Sequence, residues 1–413
     1  MSTVCYPPGL IGVDEAIERL LAAASTREHS VETAPLGKAL GRVLAQDITA
    51  NVDVPPRDNS AMDGIALRFA DINAGGDTTL RISQRIPAGA VSQPLVAGTA
   101  ARIFTGAELP EGADTVVMQE DCVFAGDGVS FKVAVRPGEN VRPQGQDIAK
   151  GSLLLPKGQR LGPAHIGLLA SVGQAQVPVF KTLTVALFST GDELVEPGRT
   201  LSPGQIYNSN RYTLTALLKQ FGCQVLDLGM VPDRLDATIE ALRNAELAGA
   251  DLIISSGGVS VGEEDHVKAA VEVLGAIDLW KVAIKPGKPL AFGRVGLVPF
   301  IGLPGNPQSV WVTFLLLARP YLLRLQGQGE VLPRAVPVPA GFEIGRVQSR
   351  REYVRVRLVA GAEGLVLEKH GNQSSGVLSS SVWADGLALI EAETAVKKGA
   401  LLPFFAFSSL LMA

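Results

Sequence analysis

The sequence predicts a multidomain α/β plus β chain. At its centre stands a three-layer α/β/α domain built on a parallel sheet. Around it are a β-rich inserted N-terminal domain, a helical linker domain and a C-terminal β-barrel-like domain. Three observations lead there. Apolar runs alternate with amphipathic stretches between about residues 180 and 328. Short β-type runs broken by Gly and Pro lie on either side of that segment. Helical patterning both precedes and follows the first β-rich stretch, as an insertion requires. The expected divisions are 8–50 with 149–179 for the linker, 51–148 for the insert, 180–328 for the α/β domain and 329–413 for the last module.

In chain order, Val13, Ala16, Ile17, Leu20, Leu21 and Ala24 recur at helical spacing. Leu36, Ala39, Leu40, Val43 and Leu44 form a second amphipathic stretch, and helical patterning returns at 163–172. The insert offers strands near 79–82, 101–104, 115–118 and 129–135. In the α/β segment, strands at 184–188, 224–228, 251–255 and 298–302 alternate with helices near 208–220, 233–247, 264–274 and 307–325. Such alternation argues for a parallel sheet with helices on both faces, whose ligands bind at the carboxyl ends of the strands. Strands at 353–358, 364–368 and 387–391 close the sequence.

Composition excludes several classes. With 413 residues, 46% hydrophobic and 19% charged, the chain has apolar content for several cores and is not disordered. A formal charge of −4 leaves no electrostatic footprint for bulk nucleic-acid binding. Cys5, Cys122 and Cys223 are far apart and form no CxxC, which suits a reducing cytosol. His29, His165, His266 and His370 lack zinc-ligand spacing. The first ten residues do not read as a signal peptide, and the apolar run 310–318 is too short to span a bilayer. A soluble cytoplasmic protein is expected.

The strand ends of the α/β segment carry the chemistry. They read Ser189-Thr190-Gly191-Asp192-Glu193, Val231-Pro232-Asp233, and Ser255 through Asp265 (SSGGVSVGEED). Lys285-Pro286-Gly287-Lys288-Pro289 and Gly302-Leu303-Pro304-Gly305-Asn306-Pro307 follow. Glycines such as Gly191, Gly257, Gly258 and Gly305 let backbone N–H groups approach an anion. Thr190, Ser256 and Ser260 add hydroxyl donors; Lys285 and Lys288 add positive charge. Glu193, Asp233 and Asp265 supply oxygen ligands suited to a hard cation such as Mg²⁺. Any one of these loops alone reads as a turn or a helix cap, with Asp233 able to cap 234–247. Five of them on one sheet edge read as a pocket for a phosphorylated, metal-assisted substrate. The run Pro55 to Gly64 is a second loaded loop, and Arg355 with Arg357 share one strand face.

The motifs DNSAMDG (58–64), TGDE, SSGGVSVGEED, KPGKP and GLPGNP, in this order, resemble the molybdopterin molybdenumtransferases. These are the bacterial MoeA proteins, similar to the E domain of gephyrin, and the resemblance covers essentially the whole chain. It implies an Mg²⁺-dependent enzyme that takes adenylylated molybdopterin and molybdate, hydrolyses the adenylate and inserts molybdenum into the dithiolene. AMP and molybdenum cofactor are released. It also implies a homodimer with an inter-subunit active site, and transient contact with a molybdopterin adenylyltransferase and apo-molybdoenzymes. Carried over by position, Asp63, Glu193, Asp265, Lys281 and Lys285 are the implied catalytic residues. Thr105, Arg142, Asp147, Asp233, Arg355 and Ser375 are implied substrate contacts, beside Pro304, Gly305, Asn306 and the loop residues above. Arg57 and Ile65 stand where the family commonly has aromatics, Gln146 replaces an acid, and the 371–375 loop lacks a His often seen there. The alternatives are an adenylyltransferase or nucleotide hydrolase on the same α/β domain, and a non-catalytic carrier or scaffold. Molybdate and tungstate are not separable by sequence.

Overall fold

The structure, a computed structural model, describes residues 9–25, 30–259 and 266–412. The chain enters through the helix Val13–Ser25, which buries Val13, Ala16, Leu20 and Ala24. These side chains join the core that holds Tyr321, Leu322 and Leu325 of the helix Arg319–Leu325. The first helix therefore packs with the α/β domain, and the expected helical linker is built mainly of strands. Val31–Pro35 pairs antiparallel with Gln176–Phe180, and Ile48–Thr49 with Leu153–Leu155. The expected helix over 36–44 shrinks to one 3-10 turn, Leu36–Lys38. Pro35 precedes it and Gly41 sits at φ +76°, a left-handed conformation that ends any helix. Ala39, Val43 and Leu44 are still buried, but from irregular chain bridged to Arg160 and Val179. The helix Pro163–Ser171 forms as expected, with Pro at its first position.

Strands on both sides of residues 51–148 thus pair with each other, and the intervening β module is an insertion. Its sheet runs Thr115–Met118, Gly64–Leu67, Thr99–Ile103, Thr78–Ile86, Gly128–Phe131, Cys122–Ala125. Successive residues alternate between two cores: Ala66, Ala101 and Val116 on one face, Ile65, Ala100 and Val117 on the other. Gly64 opens its strand because a Cβ there would lie 1.9 Å from the Val117 carbonyl oxygen.

The central sheet is ordered Gln224–Val231, Thr184–Thr190, Leu252–Ser256, Val298–Leu303, Pro289–Val295, Gly275–Lys281. The first four strands are parallel, as expected. The last two correct the expectation of a parallel sheet, since Pro289–Val295 runs antiparallel to both its neighbours. The cause is local. Val295 pairs with Val298 across a two-residue loop whose first member, Gly296, has φ +55°, and such a hairpin joins only antiparallel strands. Both sheet faces are covered. Val185 and Leu187 meet Leu214, Leu217 and Val310 on one side; Ala186 and Phe188 meet Ala241, Leu242 and Val267 on the other. Helical chain runs unbroken from Pro307 to Leu325 through a widened turn at Phe314–Ala318. That turn absorbs Pro320, which has no N–H to continue a regular ladder.

In the last module, Arg351–Gly361 pairs with Gly364–Lys369 and Gly386–Ile390, and Leu401–Ala406 joins Gly386–Ile390 to Val336–Pro339. A bridge between Ala340 and Leu367 brings the ends of this path together, which gives the barrel-like form. Ile284–Lys285, from the α/β domain, adds a short parallel strand to Arg351–Gly361. No helix among the described residues is long and apolar enough to cross a membrane. Replacing Gly64 by Ala is expected to cost about 3 kcal/mol, because two backbones must separate to admit one methyl group. Urea unfolding, with hydrogen exchange at Val116 and Val117, measures it.

Candidate functional site

The strand directions bring all five loaded loops to one edge of the central sheet. Loops after Thr190, Val231, Ser256 and Leu303 leave the carboxyl ends of the four parallel strands. The fifth joins Lys281 to Pro289, which face each other across the antiparallel pair at that same edge.

Glycines let these loops touch. Gly257 and Gly258 have φ +88° and +65°. A Cβ on Gly257 would stand 2.4 Å from the Thr190 carbonyl oxygen, and one on Gly258 would stand 2.4 Å from Val267 Cγ2 and 2.8 Å from Thr190 Oγ1. Thr190 Oγ1 is buried there and has no hydrogen-bond partner among the described residues. Gly191 (φ +146°) leaves room for Glu193, whose carboxylate would lie 2.6 Å from a Cβ at that position. The Asp233 backbone N–H donates to Asp192 Oδ1 at 3.3 Å, which ties the second loop to the first. The following helix, Leu235–Leu247, has Arg234 at its cap position, so Asp233 is not the cap. Ser256 is placed otherwise than expected: its hydroxyl is buried and shares a 2.8 Å hydrogen bond with Ser189 Oγ, in which either oxygen can donate. Ser260 and Asp265 lie outside the described residues.

The lysine loop is fastened on two sides. Gly287, at φ +108°, packs where a Cβ would meet Thr313 Cγ2 at 2.3 Å. Lys285 Nζ lies 3.0 Å from Glu352 Oε1. Lys281 is half-buried at the end of its strand and Lys288 is exposed. Pro304 is buried, and Gly305 and Asn306 are exposed at the start of the helix Pro307–Thr313. Asn210 Nδ2 donates to the Gly305 carbonyl at 2.6 Å. The first turn of that helix is satisfied from the C-terminal module, with the Gln308 N–H donating to the Ser375 carbonyl at 2.9 Å.

Arg355 does not face the open edge. It is only 1% exposed, and its guanidinium donates to Ser380 Oγ and to the carbonyls of Asn372 and Ser374. Burial pushes its pKa down to about 10. It shapes the loop that carries Ser375. Arg357 instead pairs with Glu368.

A second cluster forms in the inserted module. Asp63 Oδ1 accepts both the N–H and the hydroxyl of Thr105, each at 2.8 Å. The Thr105 backbone bond, then its hydroxyl bond, hold the Asp63 carboxyl below the usual range. Arg142 pairs in register with Asn59 of the same motif, and the Asp147 N–H donates to the Val54 carbonyl. Arg57 forms an exposed pair with Glu108, and Ile65 is fully buried. No strand pairing or ion pair among the described residues joins this cluster to the strand-end loops.

Glu352, Gln308 and Asn210 escaped the sequence reading. Only Glu352 left a trace, as the single acid among the arginines at 350–357.

Three family models cover most of the chain. The MoeA N-terminal region (domain I and II) matches residues 11–173, a probable molybdopterin binding domain matches 186–324, and the MoeA C-terminal region (domain IV) matches 337–407. A multidomain protein with a molybdopterin-binding α/β centre is the class these define. The chain is 40% identical to a molybdopterin molybdenumtransferase of Haemophilus influenzae over 87% of its length and 89% of that protein's. It is 40% identical to one of Nostoc sp., over 90% and 88% respectively. A crystal structure of the MoeA protein from Pyrococcus horikoshii, 27% identical, superposes with a TM-score of 0.83 over 96% of this chain and 100% of that one. The chain belongs to the MoeA family of molybdopterin molybdenumtransferases, enzymes of molybdenum cofactor biosynthesis.

The Asp63 pKa has a defined consequence. Its bond to Thr105 exists at neutral pH and is lost as pH falls through the depressed carboxyl pKa. Thr105→Val is expected to move the Asp63 titration upward toward the ordinary carboxylate value, read by carboxyl NMR.

Proposed function

We propose that this chain takes adenylylated molybdopterin and molybdate and cleaves the adenylate's phosphoanhydride with water. It then transfers molybdenum to the dithiolene, releasing AMP and molybdenum cofactor. The observation that carries this reading is the meeting, on one edge, of Lys281, Lys285 and Lys288 with the Gly257-Gly258 turn and Glu193. Lysine charge offsets the phosphates and the oxyanion; the glycine backbone admits them closely. The Gly305-Asn306 loop borders the same edge and Ser375 stands beside it.

Mg²⁺ fits this edge by donor chemistry. Glu193, Asp233 and Thr190 offer oxygen donors there, and the buried Thr190 hydroxyl has no partner among the described residues. Glu193 and Asp233 would hold the ion, with Asp265 from the segment outside the described residues. When bound, Mg²⁺ polarises the phosphoanhydride and stabilises its leaving phosphate. The protein's own part is to fix Lys285 and Lys281 and to shape the Ser375 loop through Arg355.

The Asp63 cluster and the strand-end loops sit in different modules of one chain, which favours a site assembled from two copies in a homodimer. In this reading Asp63, Thr105, Arg142 and Asp147 of one protomer close the site of its partner. The enzyme works in the cytoplasm, receiving its substrate from a molybdopterin adenylyltransferase and passing its product to apo-molybdoenzymes.

Purified protein supplied with adenylylated molybdopterin, molybdate and Mg²⁺ is expected to release AMP only when molybdate is present and to reconstitute a cofactor-free molybdoenzyme. Binding of the adenylate without AMP release overturns the reading in favour of a carrier. Tungstate in a parallel assay determines the preferred oxyanion. Asp63→Asn and Lys285→Met are each expected to reduce AMP release by about a hundredfold or more, with unfolding midpoints little changed. Normal turnover removes that residue from the mechanism.

A further inference from the structure

We propose that Glu352 is a positioning residue for Lys285, and that the C-terminal module thereby takes part in the reaction. The proposal rests on the reading above in which Lys285 meets the anionic substrate.

The geometry points to it in three ways. First, the backbone is locked. Ile284 and Lys285 pair in parallel register with Arg351 and Glu352, and Arg350 donates to the Ile284 carbonyl at 3.0 Å. The register sets Lys285 directly opposite Glu352, so the two side chains leave adjacent strands on the same face. Second, the Glu352 carboxylate is committed. It is 9% exposed and its Oε1 is 3.0 Å from Lys285 Nζ. The neighbouring Arg351 is engaged elsewhere, bidentate on Asp14 and bonded to Glu391. Third, the lysine needs a guide. Its four-carbon stem carries a point charge through many rotamers, and an ammonium that must meet an oxyanion gains from being held. Glu352 holds it from the protein side, while 35% of the lysine side chain stays exposed.

This arrangement makes a distinctive kinetic signature. Glu352 competes with the bound oxyanion for the same ammonium, so removing its charge does not weaken ground-state binding. It removes alignment, which is felt in kcat. A C-terminal module that had merely loosened would instead raise KM for both substrates.

The test uses the full-length protein in the AMP-release assay. Glu352→Gln is expected to lower kcat by about tenfold to a hundredfold, with KM for molybdate equal to or below the wild-type value. Glu352→Asp, which keeps the charge at shorter reach, is expected to recover part of kcat. In single-turnover measurements, the Glu352→Gln/Lys285→Met double variant is expected to be no slower than Lys285→Met alone, because both changes remove one device. Wild-type kcat in Glu352→Gln overturns the proposal, and so do additive losses in the double variant. If Glu352→Gln fails to fold, wild-type kcat in Glu352→Asp overturns it and a partial loss supports it. The two readings fail separately. Normal turnover by Lys285→Met sinks the role of Lys285 itself. A slow Lys285→Met beside a normal Glu352→Gln sinks only the role of Glu352.

Discussion

The site depends on a contact that no side chain larger than hydrogen allows. Gly257 and Gly258 lie against Thr190, and adding a Cβ to either would place it inside 3 Å of neighbouring atoms. Only glycine permits both that approach and the left-handed backbone on which it rides. With the gap closed, the ends of two adjacent parallel strands form one continuous rim. The other loops then have a fixed surface to build against.

The C-terminal module adds to that rim. The C-terminal module extends a strand to Ile284–Lys285, seats a carbonyl on the helix that starts at Pro307, and keeps a buried arginine inside its own loop. Gln308 is fully buried between these parts, giving to the Val377 carbonyl and receiving from Ser381. A glutamine with both ends used is a rigid spacer, since neither end turns without leaving a buried polar group unpaired. The inserted module presents its own preformed feature, the Asp63–Thr105 pair, beside two neighbouring strands of a separate sheet.

Sequence periodicity was enough for the four parallel strands, because apolar runs buried on both faces differ plainly from the amphipathic helices between them. The antiparallel pair was missed because Gly275–Lys281 and Pro289–Val295 flank the lysine motif, whose Pro and Gly content masks them as loop. The 36–44 stretch shows the opposite failure. Its apolar spacing is helical, yet Gly41 and the flanking strands decide its shape. At the site, loop positions were legible because glycines, lysines and acids clustered at strand ends. The direction of a hydroxyl or guanidinium was not. Ser256 bonds to Ser189 and Arg355 to loop carbonyls because of partners far away in the chain. Pairs such as Lys285 with Glu352 exist only once two modules meet.

The insertion also sets an order of assembly. The strand Val31–Pro35 finds its partner Gln176–Phe180 only about 140 residues later. At a synthesis rate of roughly 5–20 residues per second, it waits on the order of 7–30 s on the ribosome. During that wait the inserted sheet has all six of its strands and can close on its own cores. Its closure shortens the effective loop between the waiting strand and its partner, which lowers the entropy cost of their pairing. The lysine loop matures late, since its strand partner at Arg351 emerges some 65 residues after it. A nascent chain halted before that point would hold Gly257 and Gly258 in place and still lack the strand partner of Lys285.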